Sequence, residues 1–177
     1  MKPLLFVILV CNTSFCFAQK TAPATLKSVL LEQLKTTHNK KDWFVPVNTA
    51  VEGLTPEQAM WKDSSGNHSV GQLAYHLTFW NAQTLAKLKG EKPDAFSGNN
   101  EETFNNKLDK ESWAALVKKL DDVLTQLEKF VAEADDARLQ AMAGTIANIN
   151  THNAYHTGQI IFVRKLQHSW DPEKGVK

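Results

Sequence analysis

Residues 109–131 read DKESWAALVKKLDDVLTQLEKFV, and Trp113, Leu116, Val117, Leu120, Leu124, Leu127 and Val131 recur in steps of three and four. That is the α-helical period, so these side chains share one face while Lys, Asp, Glu and Gln occupy the other. Asp109 stands where a carboxylate can cap the first free amides, and the pattern ends near Asp135-Asp136. A stripe this continuous cannot bury itself, so its partners must come from other helices of the chain.

On the N-terminal side lies a polar connection rich in Asn and Gly, residues 90–108. Before it, Ser69-Val70-Gly71-Gln72 is a capping-box pattern that opens a helix running to about Lys89, where Gly90 and Pro93 stop it. Its apolar positions Val70, Leu73, Leu77, Trp80, Leu85 and Leu88 keep the helical period, and His76 falls three residues after Leu73 and four before Trp80. His76 is therefore expected to face inward. A first helix starts after Thr25 with Leu26, Val29, Leu30 and Leu34, and continues in interrupted form through Trp43, Phe44 and Val47 to Val51, with Pro46 as a bend or break. Gly53 ends that segment, and Leu54-Thr55-Pro56-Glu57-Gln58 reads as a short new start. Beyond residue 131, a fourth helix is expected to begin around Thr145 after Gly144, to carry Ile146, Ile149, Ile160, Val163 and Leu166, and to stop at Trp170-Asp171-Pro172. No repeat and no run of alternating β-branched residues suggests a sheet, so the expected fold is all-α, a four-helix bundle.

The chain of 177 residues is long enough for one core and short for two. Lys2 followed by the apolar run Leu4–Val10 and by Cys16-Phe17-Ala18 has the form of a signal peptide, residues 1–18, cleaved near Ala18. Residues 19–177 are then a single exported domain, periplasmic or secreted. The apolar run is far shorter than the roughly 20 residues that span a bilayer, and neither Cys11 nor Cys16 has the small upstream residue that lipid modification requires, so no stable membrane anchor is expected. Both cysteines fall in the leader. The processed chain has no thiolate and no disulfide, and any metal site must use nitrogen and oxygen ligands. Loss of Lys2 lowers the formal charge from +1 to zero, which offers no basis for nucleic-acid binding.

His152 and His156 are four apart on the fourth helix. Their Cβ atoms then lie about 6 Å apart on one face, within reach of a single ion. Ile149 and Ile160 flank the pair on the apolar stripe, where two neutral imidazoles need polar partners. His76 is seven residues after Ser69 and His152 seven after Thr145; with the second and fourth helices parallel, both lie about 10 Å from their helix starts. Three histidines from two helices leave a coordination position open, as in catalytic rather than structural zinc sites. The bland alternative is three core or surface histidines without a metal. His38, in a Lys-flanked polar stretch, is expected to be exposed; His68 is expected at the mouth of the site without ligating, and His168 outside it.

Ser69-Val70-Gly71-Gln72-Leu73 leading to His76-Leu77, followed by His152-Asn153-Ala154-Tyr155-His156-Thr157-Gly158-Gln159, resembles the DinB-like superfamily of metalloenzymes, over a span from about Leu26 to Trp170. The resemblance implies a four-helix bundle with a long crossover between helices 2 and 3, a role open to residues 90–108. It also implies one divalent ion, nickel or zinc, on His76, His152 and His156. Relatives include thiol-dependent isomerases and S-transferases, whose cytosolic thiols an exported protein would not meet. Fold alone does not fix activity.

A His-ligated ion with an open position suits metal-dependent hydrolysis or transfer on a small molecule. The position after the first His of the pair, occupied by Glu in zincin proteases, is Asn153, so that motif is rejected. Glu101 and Glu102 are read as solvated loop charges rather than bases. Gln159, three residues after His156, can orient that ligand from outside the coordination sphere, and Gly158 can allow close helix contact. Tyr155 and Trp80 are read as packing groups. The competing function is a non-catalytic, metal-stabilised bundle that binds a ligand or a partner, with homodimerisation open.

Overall fold

The computed structural model describes residues 23–105 and 108–176, among which there are six α-helices and no strand. These are α1 (Leu26–His38), α2 (Val47–Val51), α3 (Pro56–Met60), α4 (Val70–Lys89), α5 (Lys110–Glu133) and α6 (Asp136–Leu166). Short 3-10 turns occupy Asn100–Phe104 and Pro172–Lys174. The expected signal peptide, residues 1–18, lies outside the described residues.

Local sequence sets most of the helix starts. Thr25, Thr55, Ser69 and Asp109 each accept a hydrogen bond from the amide three residues on, and Ser28, Gln58, Gln72 and Ser112 in turn accept one from the capping residue's own amide. Pro46 separates α1 from α2 and stands immediately before Val47. Gly90 closes α4 in the left-handed conformation at φ 76°, which costs a glycine least.

The four long helices pack in a ring, α4 on α5, α5 on α1, α1 on α6 and α6 on α4. Leu34, Leu77, Leu120, Leu124, Leu127, Ile146 and Ile160 are almost fully buried at its centre, each contributing about 1.5–3 kcal/mol of transfer free energy. Of the α5 stripe, all members but Val117 are buried. No described helix is long and apolar enough to cross a membrane.

Side-chain contacts fix the helix directions. Leu108, just before α5, lies against Gly71 at the start of α4, and Lys89 at the end of α4 reaches Gln126 of α5. These two helices therefore run the same way. In contrast, Arg138 near the start of α6 donates to the Leu88 carbonyl at the end of α4 at 2.8 Å, while His76 meets His152. Thus α4 and α6 are antiparallel, not parallel as expected from an up-down order. The fourth helix is also longer than its apolar pattern suggests: Asp135 caps it, Leu139 is buried, and it runs through Gly144 without a break. A glycine costs a helix about 1 kcal/mol, which the helix formers around it, Ala141, Met142 and Ala143, tolerate.

His38 departs furthest from expectation. It is 1% exposed, with Nδ1 at 2.6 Å from Glu128 and Nε2 at 2.8 Å from Asp121. Asn48 of α2 donates to the same Asp121 oxygen at 2.6 Å. The Lys-rich stretch after His38 faces solvent, but the histidine itself ends α1 on the α5 side, where two carboxylates seven residues apart on one helical face meet both ring nitrogens. Arg164, also buried, donates to the carbonyls of Ala50, Glu52 and Ser169 and so ties α6 to the end of α2.

Candidate metal centre

His76 of α4 and His152 and His156 of α6 come together, each offering one nitrogen such that all lie within 4.8 Å of one another. The Nε2 atoms of His76 and His152 are 3.0 Å apart. Two nitrogens each about 2.0–2.1 Å from one ion, at tetrahedral to octahedral angles, would be separated by about 2.9–3.4 Å. The donor set therefore fits a divalent cation that accepts imidazole.

Two of the three rings have their tautomer set by a neighbour. The Thr103 hydroxyl donates to the Asn100 carbonyl at 2.6 Å, so it can only accept from His76 Nδ1, also at 2.6 Å. His156 Nδ1 lies 2.6 Å from the Gln159 amide oxygen, which likewise can only accept. Both rings thus carry their proton on Nδ1 and present the Nε2 lone pair. His152 differs: its Nδ1 is buried and has no hydrogen-bond partner among the described residues, so nothing at Nδ1 selects its tautomer.

Burial, followed by the neighbouring His156, His152 and His68, pushes the His76 pKa down to about 3. Burial and then His156 lower His152 to about 4. His156 is also lowered, by burial first and His68 second, against a raising effect of the Gln159 hydrogen bond. The three rings are neutral at physiological pH, the state in which imidazole binds metal.

The 3-10 turn Asn100–Phe104 forms part of the site. Phe104 stacks on His76 at 4.0 Å between ring centroids, and His68 stacks on Phe104 at 3.9 Å, so Phe104 is sandwiched between the two imidazoles. His68 is close to the site without joining the ligand set, and it does not line the cavity at the histidines; Trp80 does, and its indole N–H donates to Asn100 Oδ1 at 3.3 Å. That cavity, about 530 Å³, runs between α4 and α6 with the three histidines on its wall.

Residues 47–160, more than half of the chain and all three histidines included, match the family model of the DinB superfamily. The chain belongs to the DinB superfamily. Comparison with the curated proteins and with the solved structures gives no match.

Against the DinB resemblance, the residues between and beside the histidines take distinct places. Asn153 is turned away from the histidine cluster into a buried amide pair with Asn81. Gln159 bonds His156, as the spacing suggests, and its amide nitrogen donates to the Tyr155 hydroxyl at 3.3 Å. Tyr155 is no packing group: it is 63% exposed. Gly158 makes no close helix contact, because a Cβ there would meet nothing within 4 Å. Glu101 and Glu102 are exposed, Glu102 accepting from Ser97 at 2.7 Å, and among the described residues no carboxylate lines the cavity. Thr103 and Phe104 were not legible as site residues in a connection read as polar, although an aromatic residue there, Phe104, was a signal.

Proposed function

We propose that His76, His152 and His156 hold one divalent ion, zinc or nickel, in an exported protein that acts as a metal-dependent hydrolase or transferase on a small molecule. The observation that carries this is the pair of fixed tautomers. Thr103 and Gln159, from different parts of the chain, each accept a hydrogen bond from Nδ1–H and so leave an Nε2 lone pair turned to the histidine cluster. A bound ion supplies a Lewis acid, and the cavity beside the histidines gives a substrate access to it. Trp80 and Phe104 hold apolar substrate surface and exclude water, while Asn100, fixed by the Trp80 indole, orients polar groups.

The ring of long helices supports a four-helix bundle in which residues 90–108 cross over, since a connection between helices that run in the same direction must return along their full length. We take residues 19–177 as one domain, with residues 1–18 as the leader; the leader's sequence is what supports export. The near-zero charge balance supports a small molecule rather than nucleic acid as the partner.

A second reading, a non-catalytic bundle whose metal stabilises the fold and binds a ligand, partner or second copy, draws on one observation: among the described residues no carboxylate lines the cavity to serve as a base. Metal analysis of purified protein beside His152→Ala tests the site itself. One equivalent of zinc or nickel in the wild type and far less in the variant is the expected result, and equal content in both overturns the assignment. A screen of ester, amide and transfer substrates on loaded and metal-stripped protein then separates the two functions.

A further inference from the structure

Two long helices of the bundle meet solvent in opposite ways. Along α5 most exposed positions are charged, Lys110, Glu111, Lys118, Lys119, Asp122 and Lys129 among them, as expected of a helix with one face in water. From Leu139 to Val163, α6 has no Lys, Arg, Asp or Glu. Yet one of its faces is open: Asn148, Thr151, Tyr155, Phe162 and Leu166 are exposed and recur at helical spacing over about 27 Å, at 1.5 Å per residue. Phe162 is 57% exposed.

The patch continues off the helix. Phe44 lines a groove with Thr151 and Ala154 of α6, and Trp43 beside it is 97% exposed. Charges stand next to it in sequence, Lys41 and Asp42 before Trp43 and Lys165 before Leu166, in the manner of a polar rim. Monomers rarely leave more than a few hundred Å² of contiguous apolar surface uncovered. At roughly 150–250 Å² for a whole aromatic residue, the open parts of Trp43, Phe44, Tyr155 and Phe162 amount to roughly 400–650 Å². With Asn148, Thr151 and Leu166 this comes near the about 800 Å² per partner of a standard interface.

The charge pattern selects the occupant. A two-fold axis sets a face against itself, so charges near the axis meet their own kind. The α5 face would oppose lysine to lysine; the α6 face brings no like charges together. A partner recognised by its charge would find nothing on α6 to pair with. Neutral side chains at helical spacing can instead interdigitate with the same stripe on another helix. We infer that the protein pairs with a second copy through α6, Tyr155 and Phe162 of each chain packing on the partner's helix and Trp43 and Phe44 covering its flank. Asn148 belongs to this stripe and also lines the histidine cavity, so the second copy borders the open side of that cavity.

Sedimentation equilibrium of the purified protein tests this. A mass approaching twice that of the chain is expected, with a Kd of about 1 µM or tighter. Phe162→Glu, which places a charge on the face of each copy, and Trp43→Ser should each weaken pairing at least about tenfold. Thr125→Glu, on the exposed face of α5, should leave it unchanged. Circular dichroism checks the fold, and if Phe162→Glu loses helix, the almost fully exposed Trp43 decides. A wild-type monomer at about 100 µM overturns the inference, and sedimentation of that monomer with phosphatidylcholine vesicles assigns the face to a lipid surface instead. A dimer that tolerates both Phe162→Glu and Trp43→Ser overturns it as well, since pairing then uses another face.

Discussion

Asn81 and Asn153 clasp each other between α4 and α6: Asn81 Nδ2 donates to Asn153 Oδ1 at 2.7 Å, and Asn153 Nδ2 donates to Asn81 Oδ1 at 3.1 Å, with both residues buried. Asn153 follows the first histidine of the helical pair, so this clasp locks α6 against α4 one residue from a candidate ligand. Removing one amide leaves the other buried with unmet hydrogen bonds. Asn153→Ala is expected to lower the unfolding free energy by about 2 kcal/mol, read by urea denaturation. In a double-mutant cycle with Asn81→Ala the two losses should overlap by about 1 kcal/mol or more; simple additivity would show that the pair is not coupled.

Thr103 fixes the His76 tautomer from a turn outside the long helices. Thr103→Val keeps the side-chain shape and removes the acceptor, so the protein should fold normally yet bind zinc about 10–100-fold more weakly, the usual loss for such a partner. Thr103→Ser should restore most of the affinity. Competition with a chromogenic chelator measures both, and unchanged affinity in the valine variant would remove Thr103 from the site.

His38 sets a pH dependence opposite to that of the metal site. Burial is the largest single influence on it and lowers its pKa, but the hydrogen bonds and charges of Glu128 and Asp121 together outweigh burial, and the net shift is upward from 6.5. A base whose folded pKa is raised contributes stability that is full below its unfolded pKa and is lost as pH rises through the folded value. The charged groups facing it are those two carboxylates, with Lys118 acting on Asp121. Wild-type unfolding free energy should therefore fall as pH rises above 6.5. His38→Gln should be less stable by about 1–2 kcal/mol at pH 6, a loss moderated by the solvent exposure of Asp121, and should lack that decline. Parallel pH curves for the two proteins would show that His38 is not charged when folded.

Two glycines in helices should respond to alanine with opposite sign. Nothing lies within 4 Å of a Cβ at Gly158, so Gly158→Ala should stabilise by about 1 kcal/mol through helix propensity alone. At Gly71 a Cβ would sit 2.6 Å from Leu108 Cδ1 and 3.1 Å from the Ala59 carbonyl oxygen, both outside its own helix. Gly71→Ala should lower the melting temperature as those neighbours are pushed apart, and thermal melts followed by circular dichroism distinguish the two.

Much of this protein is determined by the sequence read locally. Helix starts follow from capping residues within three positions of the amides they serve, which is why Ser69 and Asp109 mark α4 and α5 correctly. Amphipathic period finds the α5 stripe because burial on one face is a property of a single helix. The i, i+4 spacing likewise places His152 and His156 together, and the inward register of His76 follows from Leu73 and Trp80. The same local signals misplaced the start of α6, where Gly144 reads as a boundary but the helix passes through it. Tertiary structure alone decided the rest, since it depends on which helices meet. Helix direction comes from the return path between α4 and α5, not from any stripe, and it brings His76 to His152 from antiparallel helices. His38 looks solvated beside its lysines until α5 brings Asp121 and Glu128 to its two nitrogens. Thr103 and Asn81 acquire their roles only when residues 27 and 72 positions away in sequence, His76 and Asn153, come within hydrogen-bond reach. A lone polar side chain carries no record of its partner, so the histidines were legible in the sequence and the groups that hold them in place were not.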